Sequence, residues 1–222
     1  MPESMAMNTM QVLNSAINVK QIVGFEPFKA NCYIITKGTD AIIVDPCIPY
    51  EQAKRLVKNA KIRAVFLTHG HIDHFYYVEE YVTGEIDALY YHPKAYDKLS
   101  NTRKSYAVLT PQKTPFTNTS KSHPIEEGMV EVGSFTCQVV PTPGHSNCSI
   151  CLAIGDYLMT GDTLFCGDVG RTDLYTSSSL ALSTSLKRIM TLFPHVIVCP
   201  GHDEMTTMED EIKNNPYLKE LL

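Results

Sequence analysis

The hydrophobic pattern of the chain consists of short, unbroken apolar runs separated by polar turns and a few helical stripes. Three β-rich stretches come first: Ile17 to Phe25, Ala30 to Ile35 and Ala41 to Val44. Within them, Cys32-Tyr33-Ile34-Ile35 and Ile42-Ile43-Val44 read as strands buried on both faces. Tyr50 to Ala60 carries apolar residues at Ala53, Leu56, Val57 and Ala60, the spacing of a helix. Ala64-Val65-Phe66-Leu67 is a further buried strand, Phe75 to Val82 suits a helix ending near Gly84, and Ala88 to Tyr91 is a short strand. Met129 to Val132 and Phe135 to Val140 flank Gly133-Ser134, a hairpin signal. Strands follow at Cys148 to Ile154 and Tyr157 to Met159, then a long helix from Ser179 to Phe193 and a strand from Val196 to Cys199. Thr206 or Thr207 can cap a last helix, with Glu209 or Asp210 closing the capping box. Mixed strands with helices between them predict an α/β layered fold.

Composition narrows the class. With 222 residues, 44% hydrophobic and 19% charged, the chain suits one domain spanning residues 1–222. No apolar run approaches a membrane span, so no membrane is expected as partner. The net charge of −5 lacks the basic excess of a nucleic-acid binder. Seven dispersed cysteines cannot all pair and read as reduced thiols of a cytoplasmic protein, and Met1 to Met10 lacks the features of a secretory signal. The charge is uneven. Six basic residues and one acid lie between Lys94 and Lys121, a net +5 that leaves −10 for the remainder. This Ser/Thr/Asn/Pro-rich segment, residues 94–122, reads as a basic excursion from the fold.

The candidate chemistry lies directly after the predicted strands. His69-x-His71-x-Asp73-His74 follows Leu67-Thr68, and would arise by chance in roughly one in two thousand sequences of this composition. Metal ligation needs neutral imidazoles and carboxylates converging from a tightly turning chain. Residues two apart in an extended loop point the same way, so His69 and His71 can share one ion while Asp73 and His74 address another. His145 in a Pro/Gly loop, Asp162 after Thr160-Gly161 and His202 after Pro200-Gly201 occupy similar places. Together these residues suffice for two metal ions.

These motifs, with Gly161-Asp162-Thr163-Leu164-Phe165, Gly170-Arg171-Thr172-Asp173 and Asn215-Pro216-Tyr217-Leu218, resemble the metallo-β-lactamase superfamily from about residue 15 onward. The likeness is strongest to its glyoxalase II-like hydrolases. It implies a four-layer αββα sandwich, two mixed sheets with helices on both outer faces and the metals at one edge. By resemblance, His69, His71 and His145 hold the first of two divalent ions, Asp73, His74 and His202 hold the second, and Asp162 bridges them. Zinc leads as the metal, with iron and manganese as alternatives. The resemblance implies a bridging hydroxide attacking a thioester or related ester carbonyl, with Asp73 orienting the nucleophile. His74 and the bridging Asp162 depart from the β-lactamase branches. The chain ends at Leu222, which predicts a domain without the C-terminal helical extension that helps glyoxalase II hold glutathione. A second reading is a persulfide dioxygenase-like oxidoreductase, using only His69, His145 and Asp162 for a single iron.

Around the site, Arg171 and Asp173 are expected to form a salt bridge that supports Asp162 or a ligand histidine. Arg103, Lys104 and Lys113 in the basic segment are candidates for drawing in an anionic acyl-thiol, if that segment folds over the metal edge. Cys148 and Cys151, three apart on a strand, should face opposite ways. His92, His123 and His195 are read as packing or surface residues, and Tyr76, Tyr77 and Tyr81 chiefly as helix packing.

Overall fold

The computed structural model describes residues 16–111 and 114–222; the N-terminal expectation for Met1 to Met10, and Lys113, lie outside them. In chain order the elements are β1 (Asn18–Val23), β2 (Asn31–Lys37), β3 (Asp40–Val44), α1 (Tyr50–Val57), β4 (Lys61–Phe66), α2 (Ile72–Phe75), α3 (Val78–Thr83), β5 (Ala88–Tyr91), α4 (Tyr96–Leu99) and β6 (Ser122–Pro124). A second half follows: β7 (Gly128–Val132), β8 (Phe135–Pro141), β9 (Ile150–Ile154), β10 (Tyr157–Gly161), α5 (Ser179–Leu192), β11 (Ile197–Pro200), β12 (Thr206–Thr207), α6 (Met208–Asn214) and α7 (Pro216–Lys219). The strands form two six-stranded sheets, in the orders β1-β2-β3-β4-β5-β6 and β12-β11-β10-β9-β8-β7. Both are mixed: β3, β4, β5 and β6 run parallel, as do β10 and β11, and the other pairs are antiparallel.

The layering follows from the strands' two-residue period. Ile34, Ile43 and Val65 face outward onto Ala53, Val78 and Tyr81 of the first helical layer. Their neighbours Ile35, Ile42, Val44, Ala64 and Phe66 face inward onto Phe135, Cys137, Val139, Leu152 and Met159 of the second sheet. Cys151, Ala153, Leu158 and Val198 face the far side, under Leu182, Leu186, Ile189 of α5 and Met208 of α6. Strands covered on both faces must be apolar throughout, which is why runs rather than alternation marked them. The result is the αββα sandwich, the metallo-β-lactamase fold. Among the described residues, no helix is long and apolar enough to cross a membrane.

Three expectations need correction. The helix read over Phe75 to Val82 is two short helices, α2 and α3. The chain bends at Tyr76-Tyr77, where the Tyr77 N–H donates to the Pro46 carbonyl and both rings pack on Phe25. The strand expected from Cys148 begins at Ile150, and Cys148 and Cys151 fall in different cores, on opposite sides as anticipated. The basic segment is not an excursion. Leu99, Ala107 and Phe116 are buried in the first core, α4 packs inward, and β6 extends the first sheet beside β5. Its sparse apolar residues are spaced too irregularly for any periodicity to reveal that.

Candidate metal centre

The site forms where strand ends from both sheets meet. β3 delivers Asp45, β4 delivers Thr68 through His74, β8 leads to His145, β10 ends at Asp162 and β11 leads to His202. Parallel neighbours β3 and β4 point their C-terminal ends to the same edge, so chemistry spread over the sequence gathers there. Gly201 is a steric requirement: a Cβ there would lie 2.3 Å from Asp162 Oδ1 and 2.7 Å from His74 Cε1. Asn31 anchors the same loop, its Nδ2 donating to the carbonyls of Pro200 (3.0 Å) and Asp203 (2.8 Å).

All seven candidate residues come together: His69, His71 and His145 in one cluster, Asp73, His74 and His202 in another, and His69, His74 and Asp162 in a third that joins the two. His71 Nδ1 lies 3.0 Å from His69 Nε2 and 2.9 Å from His145 Nε2. Asp162 Oδ2 sits 3.4 Å from His145 Nε2 and 4.0 Å from His69 Nε2. On the other side, His74 Nε2 is 3.2 Å from Asp162 Oδ1 and 3.6 Å from Asp73 Oδ2. His202 Nε2 is 3.4 Å from Asp73 Oδ2 and 3.7 Å from Asp162 Oδ2. Ligands at the usual ~2.1 Å around one tetrahedral ion stand about 3.4 Å apart, the middle of this range.

The hydrogen bonds behind the rings fix which nitrogens offer lone pairs. Thr68 Oγ1 donates to Asp45 Oδ2 (2.7 Å), so it accepts from His69 Nδ1–H (3.1 Å) and leaves His69 Nε2 bare. His145 Nδ1 donates to the Arg171 carbonyl (3.0 Å), and His74 Nδ1 to Asp45 Oδ2 (2.8 Å). Among the described residues, buried His71 Nε2, His74 Nε2 and Asp162 Oδ1 have no hydrogen-bond partner. Lone pairs turned on one another at 3 Å, with orphaned buried acceptors beside them, suit a cation and not a hydrogen-bonded core. The donor set fits two ions.

The local field differs between the two groups. Burial, then the neighbouring imidazoles His74 and His71, push His69 well below its ordinary pKa. Burial and His145 push His71 down to about 3. Both are neutral donors at pH 7. Burial works against charge on His74, but Asp162, Asp73 and Asp45 outweigh it and raise that pKa well above the ordinary value. Burial would likewise raise Asp162 and Asp73, yet His74 dominates and holds both ionised, below the carboxylate range. His202 is raised, burial being overcome by its contact with Asp73.

Other expected residues fall differently. Arg171 and Asp173 do pair, at 2.6 and 2.7 Å, but the pair is exposed and touches neither Asp162 nor a ligand side chain. The contact to His145 comes from the Arg171 carbonyl, which any residue could supply. Lys104 is bound to Asp97 (2.5 Å), while Arg103 is exposed. His92 caps a short turn, His123 packs on Tyr90 and His195 pairs with Glu209. Tyr81 donates to the Ile48 carbonyl in the core.

Two residues escaped the sequence reading. Asp45, almost fully buried, accepts from Thr68 N–H (2.8 Å), Thr68 Oγ1 and His74 Nδ1, and so orients two ligand rings. The rule that found His69, a polar residue directly after a buried strand, would have found it. Tyr106, held at φ +63, packs its ring 5.3 Å from that of His71. Nothing local marks it, because the contact is made across the fold.

Comparison with known proteins agrees with this geometry. The profile of the metallo-beta-lactamase superfamily matches residues 26–202. A relative from Bacillus velezensis, named as a probable polyketide biosynthesis zinc-dependent hydrolase, is 30% identical over 93% of this chain and 90% of its own. Among solved structures, BLEG-1, a B3 metallo-beta-lactamase, superimposes with a TM-score of 0.81 at 30% identity, covering 90% of this chain and 99% of that one. TTHA1623 in a di-iron-bound form gives 0.76 at 31% identity, covering 90% and 100%. With the family profile matching residues 26–202 and similar proteins at 30% identity or more covering most of its length, the chain belongs to the metallo-beta-lactamase superfamily.

Proposed function

We propose that the protein is a binuclear metal-dependent hydrolase of the glyoxalase II-like kind, acting on a thioester or related ester. The observation that carries this reading is Asp162. Its Oδ2 faces His145 and His202 and its Oδ1 faces His74, so one carboxylate addresses both ligand groups. When bound, two divalent ions supply Lewis acidity and, by lowering the pKa of bound water toward ~7, a hydroxide at neutral pH. Asp73 Oδ2, which lies between His74 and His202, would help hold one ion and would be the carboxylate to orient the attacking water and accept its proton. His202 has the most exposed side chain of the set, at 24%, so substrate approaches from the side of the second group. Zinc is the favoured metal, supported by the donor set and by the zinc-dependent relative; the di-iron neighbour supports iron as the alternative.

Two divalent charges against Asp73, Asp162 and a hydroxide leave the centre at about +1, which suits a small anionic acyl-thiol. Arg103, exposed in the basic segment, would add to that attraction. The reading extends to a reducing, cytoplasmic setting, supported by seven free cysteines, six of them buried.

The test is metal quantification beside a panel of thioesters, lactones, β-lactams and persulfides. Two ions per chain, with thioester turnover exceeding β-lactam turnover, is the expected result. One iron per chain with oxygen uptake on persulfides would replace this reading with the dioxygenase one.

A further inference from the structure

Lysine is among the residues least often found fully buried, and when buried its ammonium is normally paired. Lys98 of α4 is fully buried, and among the described residues no carboxylate pairs with it. Adjacent Asp97 is engaged by Lys104 and by the Tyr175 hydroxyl. Lys98 Nζ instead donates to Asn147 Oδ1 (2.8 Å) and Thr176 Oγ1 (2.7 Å), 5.4 Å from the centroid of the Tyr175 ring. Burial pulls its pKa below the ordinary value, a sign that the arrangement is costly to hold.

The groups it touches belong to the segments that carry the first ligand group. Asn147 is two residues past His145, and its N–H donates back to Thr176 Oγ1 (3.3 Å). Thr176, at φ +68, lies in the segment that begins at Arg171, whose carbonyl takes His145 Nδ1–H. Two residues on, Ser178 N–H donates to the Gly144 carbonyl (2.8 Å), closing the frame around His145. The lysine stem fills the space above Gly70, between His69 and His71. A Cβ at Gly70 would stand 2.8 Å from Lys98 Cβ and 3.2 Å from Cδ. Lys98 reaches neither anchor of the second group: Asp45, which lies behind His74 and through Thr68 also serves His69, and Asn31 beneath the loop of His202.

We propose that Lys98 is a positioning residue for the His69/His71/His145 group, its ammonium tying the two segments that orient His145 and its stem backing the turn between His69 and His71. This rests on the reading of the site as a metal centre, and the experiment separates the two. Lys98→Met keeps most of the stem and deletes the ammonium. Purified wild-type and variant proteins are stripped and titrated with Co(II), following the visible bands and the hyperfine-shifted imidazole N–H signals. The expected variant binds one ion as the wild type does and the other about 10- to 100-fold more weakly, the usual scale for a lost ligand-orienting partner. The His69 and His145 N–H signals should move while that of His74 stays. Thr176→Val, which removes one acceptor, should shift the same ion a few-fold. Equal loss of both ions, or no loss of either, overturns the proposal. If Lys98→Met does not fold, Thr176→Val decides, and an unchanged isotherm overturns it. A wild type that takes up a single ion would sink the binuclear reading, yet weakening of that ion in Lys98→Met would still support the role of Lys98.

Discussion

β3 carries a buried aspartate at each end, and the two ends do opposite things with it. Asp40, at the start, receives Arg63 Nε at 2.7 Å and Ser134 N–H at 2.8 Å, with Arg63 also reaching Asp87. Charge meets charge there, and the contact to Ser134 ties the first sheet to the hairpin of the second. Asp45, just past the other end, receives no cation from Lys or Arg; its partners are Thr68 and His74. The imidazole it orients then faces Asp162 and Asp73, beside acceptors without donors. One end of the sandwich is electrostatically closed, and the other is left needing positive charge. Among the described residues, three of the five buried side-chain polar atoms without a partner, His71 Nε2, His74 Nε2 and Asp162 Oδ1, gather at that one edge, which marks it as the functional edge.

Substitutions can break this contrast. The largest effect is expected from Asp162→Ala. Because Asp162 serves both groups, the variant should lose most of one ion per chain and at least ~10³-fold in kcat, by metal analysis and thioester kinetics. Retention of both ions at full occupancy would refute the bridging role. Asp45→Ala should come next. It leaves Thr68 N–H and His74 Nδ1–H without their acceptor, costing about 1–3 kcal/mol by denaturant melts and about 10- to 100-fold in affinity for the ion His74 faces, with a smaller loss at the other ion through Thr68 and His69. Were stability to fall with metal affinity unchanged, Asp45 would be equivalent to Asp40, and the contrast between the ends would fail.

At the closed end, Asp40→Asn should cost about 1–2 kcal/mol near pH 7 and leave metal content unchanged. Burial pushes the Asp40 carboxyl up, but Arg63 and Ser134 outweigh it, so its pKa is lowered on folding. A lowered carboxyl stabilises the fold above its unfolded value, near ~3.9, and that stability is lost as pH falls through the folded value. The variant should therefore show a shallower loss of stability below about pH 4, measured by urea melts across pH. The smallest effect is expected from Arg103→Gln with Lys104→Gln. Lys104 is already neutralised by Asp97, so kcat/KM on an anionic thioester should fall only about two- to three-fold, with reduced salt sensitivity and no change on a neutral ester. Equal loss on both substrates would remove these residues from recognition.

Much of the site was legible because its ligands obey a local rule. His69, His145, Asp162 and His202 each lie within four residues of a buried strand's end, and His71, Asp73 and His74 continue the same loop and helix start after β4, where turn residues and metal-binding side chains coincide in the sequence. The unbroken apolar runs likewise specified strands covered on two faces, and Thr207 caps α6 through Asp210 as the sequence indicates. The basic segment was misread for the complementary reason. Its burial depends on isolated residues, Leu99, Ala107 and Phe116, meeting a core built from distant strands.

What the sequence by itself determined, then, is an α/β layering of buried strands and a set of candidate His and Asp ligands after them, because both are written in short-range patterns of polarity. What only the tertiary structure decided is how those ligands are aimed. The tautomers of His69, His74 and His145 depend on Asp45, Thr68 and the Arg171 carbonyl, and the frame around His145 depends on a lysine 47 residues before it in the chain. Hydrogen bonds are directional and act across a few ångströms of space, whatever the separation in sequence. A single chain's residue pattern encodes which side chains want burial or charge, whereas the angle at which a ring nitrogen meets an ion is set only after the sheets have packed.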